Sequence, residues 1–272
     1  METPPGPDDA ALARLALANE VDLWSRSVAF APAGASGRTG SAAWFTSGLP
    51  LPFFNQVMTV AEPADAASVE AGVAELRARR VPFQVRIRSG LDDELVRGLE
   101  ALGLHEDPDE AFPAMTLYPI PDDIAAPDGW PPGLEIRRAN DAASLADHVN
   151  VVAAAFGLPL EIARQFLVLD ELAMPGFELY AGYVDGRAVS SSLGFTADGT
   201  VGIYNVATLR EARGLGLGGA LTRHAVAEGL RQGASVAILQ ASAMGRHLYE
   251  TIGFREVLRF RVFGETPGGA AA

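Results

Sequence analysis

Apolar positions recur along this chain with two periods. Over residues 10–27, 66–79, 92–102, 142–156, 160–172, 217–231 and 244–251 the spacing predicts amphipathic helices. In the segment 217–231, Leu217, Leu221, Ala225, Val226 and Leu230 fall on one helical face. Short apolar or alternating runs predict strands over 54–60, 82–88, 112–118, 134–138, 177–184, 188–195, 200–209, 235–240 and 257–263. Asp185-Gly186 and Asp198-Gly199 mark hairpins between neighbouring strands. The Gly-, Ser- and Ala-rich stretch from Gly34 to Gly48 reads as a loop, and Pro175-Gly176 ends a helical run. Pro121 to Gly133 holds four prolines and three aspartates and reads as a linker. The expected division is an N-terminal domain over 1–120, a linker over 121–133, a C-terminal domain over 134–264 and a disordered tail over 265–272.

The turn between strand 200–209 and helix 217–231 carries the chemistry. Residues 206–219 read Val-Ala-Thr-Leu-Arg-Glu-Ala-Arg-Gly-Leu-Gly-Leu-Gly-Gly. Glycines at a helix start leave backbone N–H groups open and let an anion approach, and the helix dipole adds partial positive charge there. This is a seat for a phosphate. Gly214, Gly216 and Gly219 fit the dinucleotide pattern G-x-G-x-x-G. That pattern must follow a strand directly and lead to a second strand ending in an acid. Here Leu209 to Ala212 intervene, the next strand ends at Gln240, and too little chain follows for a doubly wound sheet. A nicotinamide cofactor is therefore rejected.

A second pattern, R-x-x-G-x-G, is filled by Arg213, Gly216 and Gly218. Downstream stands Leu248-Tyr249-Glu250-Thr251-Ile252-Gly253-Phe254. On these two motifs, in this order and about a helix and a strand apart, residues 134–263 resemble the GNAT superfamily of acyl-CoA-dependent N-acetyltransferases. The chain departs from the pattern at Arg210, where many members carry Pro, and at Leu215, which is often basic. The resemblance implies an α/β (α+β) fold: a mixed, bent β-sheet flanked by helices. It also implies that Arg213, Gly214, Leu215, Gly216, Leu217, Gly218 and Gly219 hold the pyrophosphate of acetyl-CoA. The pantetheine arm would pair with strand backbone at Val206, Ala207 and Thr208, where a freed N–H could also stabilise an oxyanion. Tyr249 is the implied general acid, a phenol that protonates the departing thiolate.

The two halves also look alike. Leu99-Glu100-Ala101-Leu102-Gly103-Leu104 is similar to Tyr249-Glu250-Thr251-Ile252-Gly253-Phe254, and strand 54–60 would correspond to 200–208. The N-terminal half then reads as a shortened second copy that has lost the chemistry. Ala61-Glu62-Pro63-Ala64-Asp65 stands where the arginine and glycines should be, and Leu99 stands where Tyr249 is.

Composition narrows the remaining choices. With 272 residues, 49% hydrophobic and a mean hydropathy of +0.15, the chain can bury a sizeable core. No apolar run reaches the roughly 18–20 residues of a membrane span. Met1 to Asp9 is acidic and Pro-rich, unlike a signal peptide, and the chain has no cysteine. A cytoplasmic protein without disulfides or thiolate metal sites is expected. The net charge of −13 argues against a nucleic-acid partner. Every one of the 21 basic residues is Arg, so Schiff-base chemistry and a Walker-type loop are excluded.

Candidate bases are Glu178, Tyr204, Asn205, Asp170 and Glu171, none of them singled out by spacing. His148, His224 and His247 lack paired metal-ligand spacing, so no metal is expected. Ser190-Ser191-Ser192 reads as a polar strand, not a nucleophile. The expected activity is transfer of an acetyl group from acetyl-CoA to a primary amine of a small-molecule or peptide acceptor. No membrane partner is expected, and a homodimer stays open. A non-catalytic acyl-CoA-binding or regulatory protein is one alternative. The other is an interaction module presenting Trp44, Phe45, Phe53 and Phe54.

Overall fold

The structure, a computed structural model, describes residues 6–125 and 129–265. The chain begins with helix α1 (Asp9–Ser27), strands β1 (Ala35–Thr39), β2 (Ala42–Thr46) and β3 (Asn55–Thr59), helix α2 (Ala66–Arg79) and strand β4 (Gln84–Arg88). Helix α3 (Val96–Ala101), strands β5 (His105–Leu117) and β6 (Glu135–Arg138), and helices α4 (Ala142–Phe156) and α5 (Leu160–Phe166) follow. Strands β7 (Phe177–Val184), β8 (Arg187–Ala197) and β9 (Thr200–Thr208), helix α6 (Leu217–Arg231), strand β10 (Val236–Gln240), helix α7 (Arg246–Ile252) and strand β11 (Arg255–Gly264) complete it. Most predicted elements stand within two residues of their expected bounds.

Four expectations change. The helix predicted over 92–102 is a 3-10 turn over Asp93–Leu95 followed by α3 from Val96. The stretch Gly34–Gly48 is not a loop: β1 and β2 form a hairpin there, paired from Ala35↔Thr46 to Thr39↔Ala42. Glycine in this strand has a packing reason, since a Cβ on Gly37 would stand 2.6 Å from the Trp44 ring that covers it. Strand β5 begins at His105, seven residues before the predicted start at 112, with Glu106 bonded to Arg261 of β11. The helix predicted over 160–172 ends at Phe166 and resumes as a 3-10 turn over Leu169–Ala173. The tail expected over 265–272 lies, from residue 266 on, outside the described residues.

The chain folds as two compact units that cut across the predicted boundaries at 120 and 134. One spans Met115–Val257 and takes in the chain up to Glu20; the other spans Val21–Ala114 and takes in the chain from Leu258 onward. In the first unit the strand order is β10-β9-β8-β7-β6. β6, β7, β8 and β9 pair antiparallel in succession, and β9 and β10 run parallel through the crossover helix α6. Helices cover both faces. Gly182 of β7 faces α6, where its Cβ would stand 2.8 Å from Leu221. A bulge follows, and the next residue, Tyr183, faces α4 and bonds Asp147 at 2.6 Å. The core on the α6 side joins Val201, Ile203, Leu221, Val226, Leu239, Tyr249, Ile252 and Phe254, with Met115 and Leu117 from the end of β5. Each such side chain, fully buried, contributes roughly 1.5–3 kcal/mol.

The second unit repeats part of this plan. β3 and β4 run parallel and are joined by α2, as β9 and β10 are joined by α6. α3 then stands where α7 stands in the first unit, with Leu99 buried in the core with Val57, Val73, Leu76 and Ile87. β11 lies antiparallel to β4, from Phe260↔Arg88 to Gly264↔Gln84. Phe45 and Phe54 are buried here, Trp44 is half-buried, and Phe53 is exposed but packed edge-on against Trp24.

A buried ion pair holds the loop after β4. Arg88 Nη2 and Nε donate to Asp92 Oδ1 and Oδ2 at 2.7 and 2.8 Å, and the Thr59 hydroxyl donates to Oδ2. Both side chains are at most 4% exposed. Burial pushes the Asp92 carboxyl up, but the bonds from Arg88 and Thr59 outweigh it and leave the group below the ordinary carboxylate value. Because the folded value is the lower one, this stabilisation is complete above the unfolded value and is lost as pH falls through the folded one. Asp92→Asn leaves the buried Arg88 with only the exposed Glu62 as a carboxylate partner (3.1 Å), so it should cost about 3 kcal/mol in denaturant unfolding and flatten the acid limb of the stability curve.

Candidate functional site

The loop between β9 and α6 is pinned at both ends and open in the middle. Leu209 N–H bonds Val189 O at 2.9 Å, and a 3-10 turn covers Arg210–Ala212. Ala212 and Leu217 bury their side chains against Val189, while Arg213, Gly214, Leu215 and Gly216 between them are exposed. Gly214 and Gly216 take φ of +79° and +76°, left-handed conformations that an L side chain would strain. Arg213 Nε donates to the Thr208 carbonyl at 3.2 Å, which holds the guanidinium beside the end of β9.

The start of α6 differs from the other long helices. Asp8, Asp65 and Asp141 each place a carboxylate oxygen on a backbone N–H of α1, α2 and α4. α6 begins at Gly216 with no side-chain cap. Its first intrahelical bond is Ala220 N–H to Gly216 O, so the N–H groups of Gly216, Leu217, Gly218 and Gly219 have no partner within the helix. A Cβ on Gly218 would stand 3.6 Å from Thr208 Oγ1 and 3.5 Å from Leu248, so this helical turn closely overlooks the end of β9. The arrangement is a concave set of donors at the positive end of a helix dipole, suited to an anion.

Beside it the sheet forks. β9 and β10 pair from Thr200↔Val236 to Ile203↔Leu239 and then stop, although β9 continues to Thr208. β9 bulges at the same place: Leu193 of β8 faces Tyr204, whereas Ser191 faces Ala207. One residue is extra, and Asn205 sits at φ +50°. The bulge is stitched to β8 by Ser191 Oγ to Asn205 O (3.0 Å) and Ser190 Oγ to Ala207 O (2.8 Å). Ser190 faces Thr208 across the ladder, and Leu209 N–H bonds Val189 O. Strand alternation then turns the backbone polar groups of Ala207 toward β8 and those of Val206 and Thr208 toward the gap. The triple serine is thus a buried polar strand serving backbone carbonyls, with Ser192 bonded to Leu221 O.

The implied acid lies on α7. Tyr249 is buried in the core, packs edge-on against Phe254, and its Cε2 would stand 2.9 Å from a Cβ on Gly245. Burial pushes its phenol up to about 12, so it holds its proton at neutral pH. No described residue bonds its hydroxyl. Of the candidate bases, Glu178 is tied to Tyr180, Arg138 and Gln232 at the C-terminal end of α6, remote from the helix start. Asp170 is exposed on the 3-10 turn after α5, and Glu171 is buried there with Oε2 on Val168 N–H. Tyr204 and Asn205 lie at the fork. His148 is buried with Nδ1 at 3.0 Å from Tyr180 O, and burial pushes it down to about 4. Among the described residues, no group of three His, Asp or Glu side chains could hold a metal.

Sequence reasoning missed two residues at the fork. Asn19 and Glu20 of α1 reach Tyr204 and Gln240, across 185 and 220 positions. Neither position carries a motif, and no spacing could have linked them.

Residues 133–239 match the family model described as acetyltransferase (GNAT) domain. No curated protein matches the chain significantly. Among solved structures, a GCN5-related N-acetyltransferase from Kribbella flavida superposes with a TM-score of 0.69 at 17% identity, over 94% of this chain and 97% of that one. A GCN5-related N-acetyltransferase from Sphaerobacter thermophilus gives 0.61 at 18% identity, over 97% and 95%. A tandem GNAT protein from the clavulanic acid biosynthesis pathway gives 0.60 at 19%, over 95% and 94%. At such identities the likeness shows the fold, and the fold is the GNAT fold. No described helix is long and apolar enough to cross a membrane.

Tyr249→Phe removes a hydroxyl that contacts no described polar group. It should change unfolding free energy by about 0.5 kcal/mol or less. The wild-type-minus-variant absorbance should show a phenolate forming near pH 12, not at the ordinary 10.0.

Proposed function

We propose that this chain, which carries an acetyltransferase (GNAT) domain over residues 133–239, transfers an acetyl group from acetyl-CoA to a primary amine. The observation that carries the reading is the uncapped start of α6 beside an unpaired strand end. The two features suit the two parts of one ligand, a pyrophosphate and an amide-bearing arm. In this reading the N–H groups from Gly214 to Gly219, with the Arg213 guanidinium, bind the pyrophosphate through charge-assisted bonds of roughly 1.5–3 kcal/mol each. The gap-facing backbone of Val206 and the N–H of Thr208, whose carbonyl is held by Arg213, pair with the amides of the arm as a neighbouring strand would, while Ala207 stays on the β8 ladder. Acetyl-CoA supplies the activated thioester. The amine nitrogen bonds the thioester carbonyl carbon, the C–S bond breaks, and Tyr249, neutral at physiological pH, protonates the departing thiolate sulfur; the proton shed by the amine nitrogen then restores the phenol. The cysteine-free composition fits a cytoplasmic setting.

We read the second unit as a copy of the same plan without the seat. Its crossover helix α2 is closed by its own chain: Asp65 accepts from Ser68 N–H, Ser68 Oγ and Ser41 Oγ. Those bonds, from Ser68 first and Ser41 next, hold the Asp65 carboxyl below its ordinary value, so it stays charged where an anion would have to sit. One acetyl-CoA per chain is therefore expected.

Calorimetric titration with acetyl-CoA tests the reading directly. One molecule should bind per chain. Arg213→Glu should weaken that binding by at least about 100-fold, or 2.7 kcal/mol, with little change in melting temperature, because Arg213 is exposed. A chain that binds no acetyl-CoA at millimolar concentration ends the reading. With a productive amine, Tyr249→Phe should lower kcat by about 100-fold and leave acetyl-CoA affinity unchanged. An unchanged kcat removes Tyr249 from the chemistry.

A further inference from the structure

The acetyltransferase reading leaves the acceptor side of the fork without assigned residues, and the inference here rests on that reading. On the face of the sheet away from α6 lies a polar pair drawn from distant parts of the chain. The Tyr204 hydroxyl donates to Asn19 Oδ1 at 2.8 Å. Asn19 is 3% exposed, and its Nδ2 donates to Phe195 O at 3.2 Å and Thr200 Oγ1 at 2.9 Å. With the amide nitrogen so engaged, the oxygen is the atom that faces the tyrosine. The Tyr204 proton is then spoken for, so toward an amine N–H its oxygen has the acceptor role.

The pair needs the glycine beneath it. A Cβ on Gly202 would stand 2.2 Å from Asn19 Oδ1 and 2.6 Å from the Tyr204 hydroxyl. Gly202 and Ile203 are the last residues of β9 that pair with β10, so the hydroxyl stands within about one residue of where the strands part. The next residue of α1 holds the other prong: Glu20 accepts from Gln240 Nε2, at the end of β10, at 3.0 Å. Consecutive residues of one helix thus fix one residue on each side of the opening.

The geometry points to Tyr204 as the acceptor-binding residue and to Asn19 as the residue that positions it. The ligand class is a primary amine. Its N–H bonds the Tyr204 oxygen on this face, which turns the nitrogen lone pair toward a thioester carbonyl in the fork. No proton leaves Tyr204 in this role. α1 is then part of the acceptor site, although it lies more than a hundred residues ahead of the GNAT domain.

The test uses the full chain, acetyl-CoA, and n-butylamine and 1,4-diaminobutane as acceptors, with thiol release as the readout. Tyr204→Phe should raise the amine KM at least tenfold, with acetyl-CoA affinity by calorimetry within twofold of wild type. Asn19→Leu should do the same, and the double variant should be no worse than Tyr204→Phe alone. A residue acting through Tyr204 predicts that non-additivity, whereas a purely structural Asn19 gives additive losses. An amine KM within twofold of wild type in Tyr204→Phe overturns the assignment, and additive losses overturn the positioning role of Asn19. If Asn19→Leu does not fold, Tyr204→Phe alone decides. A wild type that binds acetyl-CoA but releases no thiol with either amine overturns the amine side alone. A wild type that binds no acetyl-CoA overturns the parent reading with it.

Discussion

The parting of β9 from β10 after Ile203↔Leu239 is the constraint on which the rest of the first unit depends. Parallel strands normally continue to exchange backbone bonds, because an unmade buried one costs roughly 1–3 kcal/mol. Here the ladder ends while β9 runs on for five residues. The bulge at Asn205 turns the strand, and Ser190 and Ser191 satisfy carbonyls on the β8 side. Val206 and Thr208 stay only half-buried, which limits the cost on the gap side. The crossover helix then starts on glycines, close enough to overlook the gap. A side-chain cap would satisfy one of its N–H groups and fill the space, and this helix start has none.

The second unit shows the other solution to the same geometry. A parallel crossover also leaves a helix start beside a strand end at α2. There Asp65 and two serines close it, and the buried Arg88–Asp92 pair fills the neighbouring loop. Local stability and an open donor set are alternatives at such a point, because the same N–H groups cannot both be capped and receive a ligand. One chain holds both outcomes on similar backbone paths.

The sequence made the crossover legible because its signals are local. Glycine at Gly214 and Gly216 matches the positive φ found there, and the apolar stripe of 217–231 matches α6 to the residue. It made the hairpin at 35–46 illegible, because Gly37 and Ser36 carry no strand propensity and Trp44, which covers Gly37, lies across a turn. The compact units also divide the chain at other points than the sequence suggests. A linker signal such as Pro121–Gly133 records where the chain is irregular, not where contacts are made. Ile124 from that stretch is buried in the core of the first unit. The open strand end at Val206–Thr208 was expected on resemblance alone and its bulge not at all, since register is a property of two strands and not of either sequence.

Asn19 shows why α1, as far as Glu20, groups with a segment that begins only at Met115. A buried amide is tolerated when its donors and acceptor are all satisfied, and Asn19 meets that condition only against β8 and β9: Phe195 O, Thr200 Oγ1 and the Tyr204 hydroxyl. Each partner in turn loses something without it. Tyr204 would lose the acceptor to which its hydroxyl donates, and β9 would lose that tie to α1 next to where it leaves β10. Asn19 and Glu20 of α1 therefore brace the sheet where the β9–β10 ladder stops, and a boundary drawn at the Pro-rich linker separates the fork from the helix that braces it.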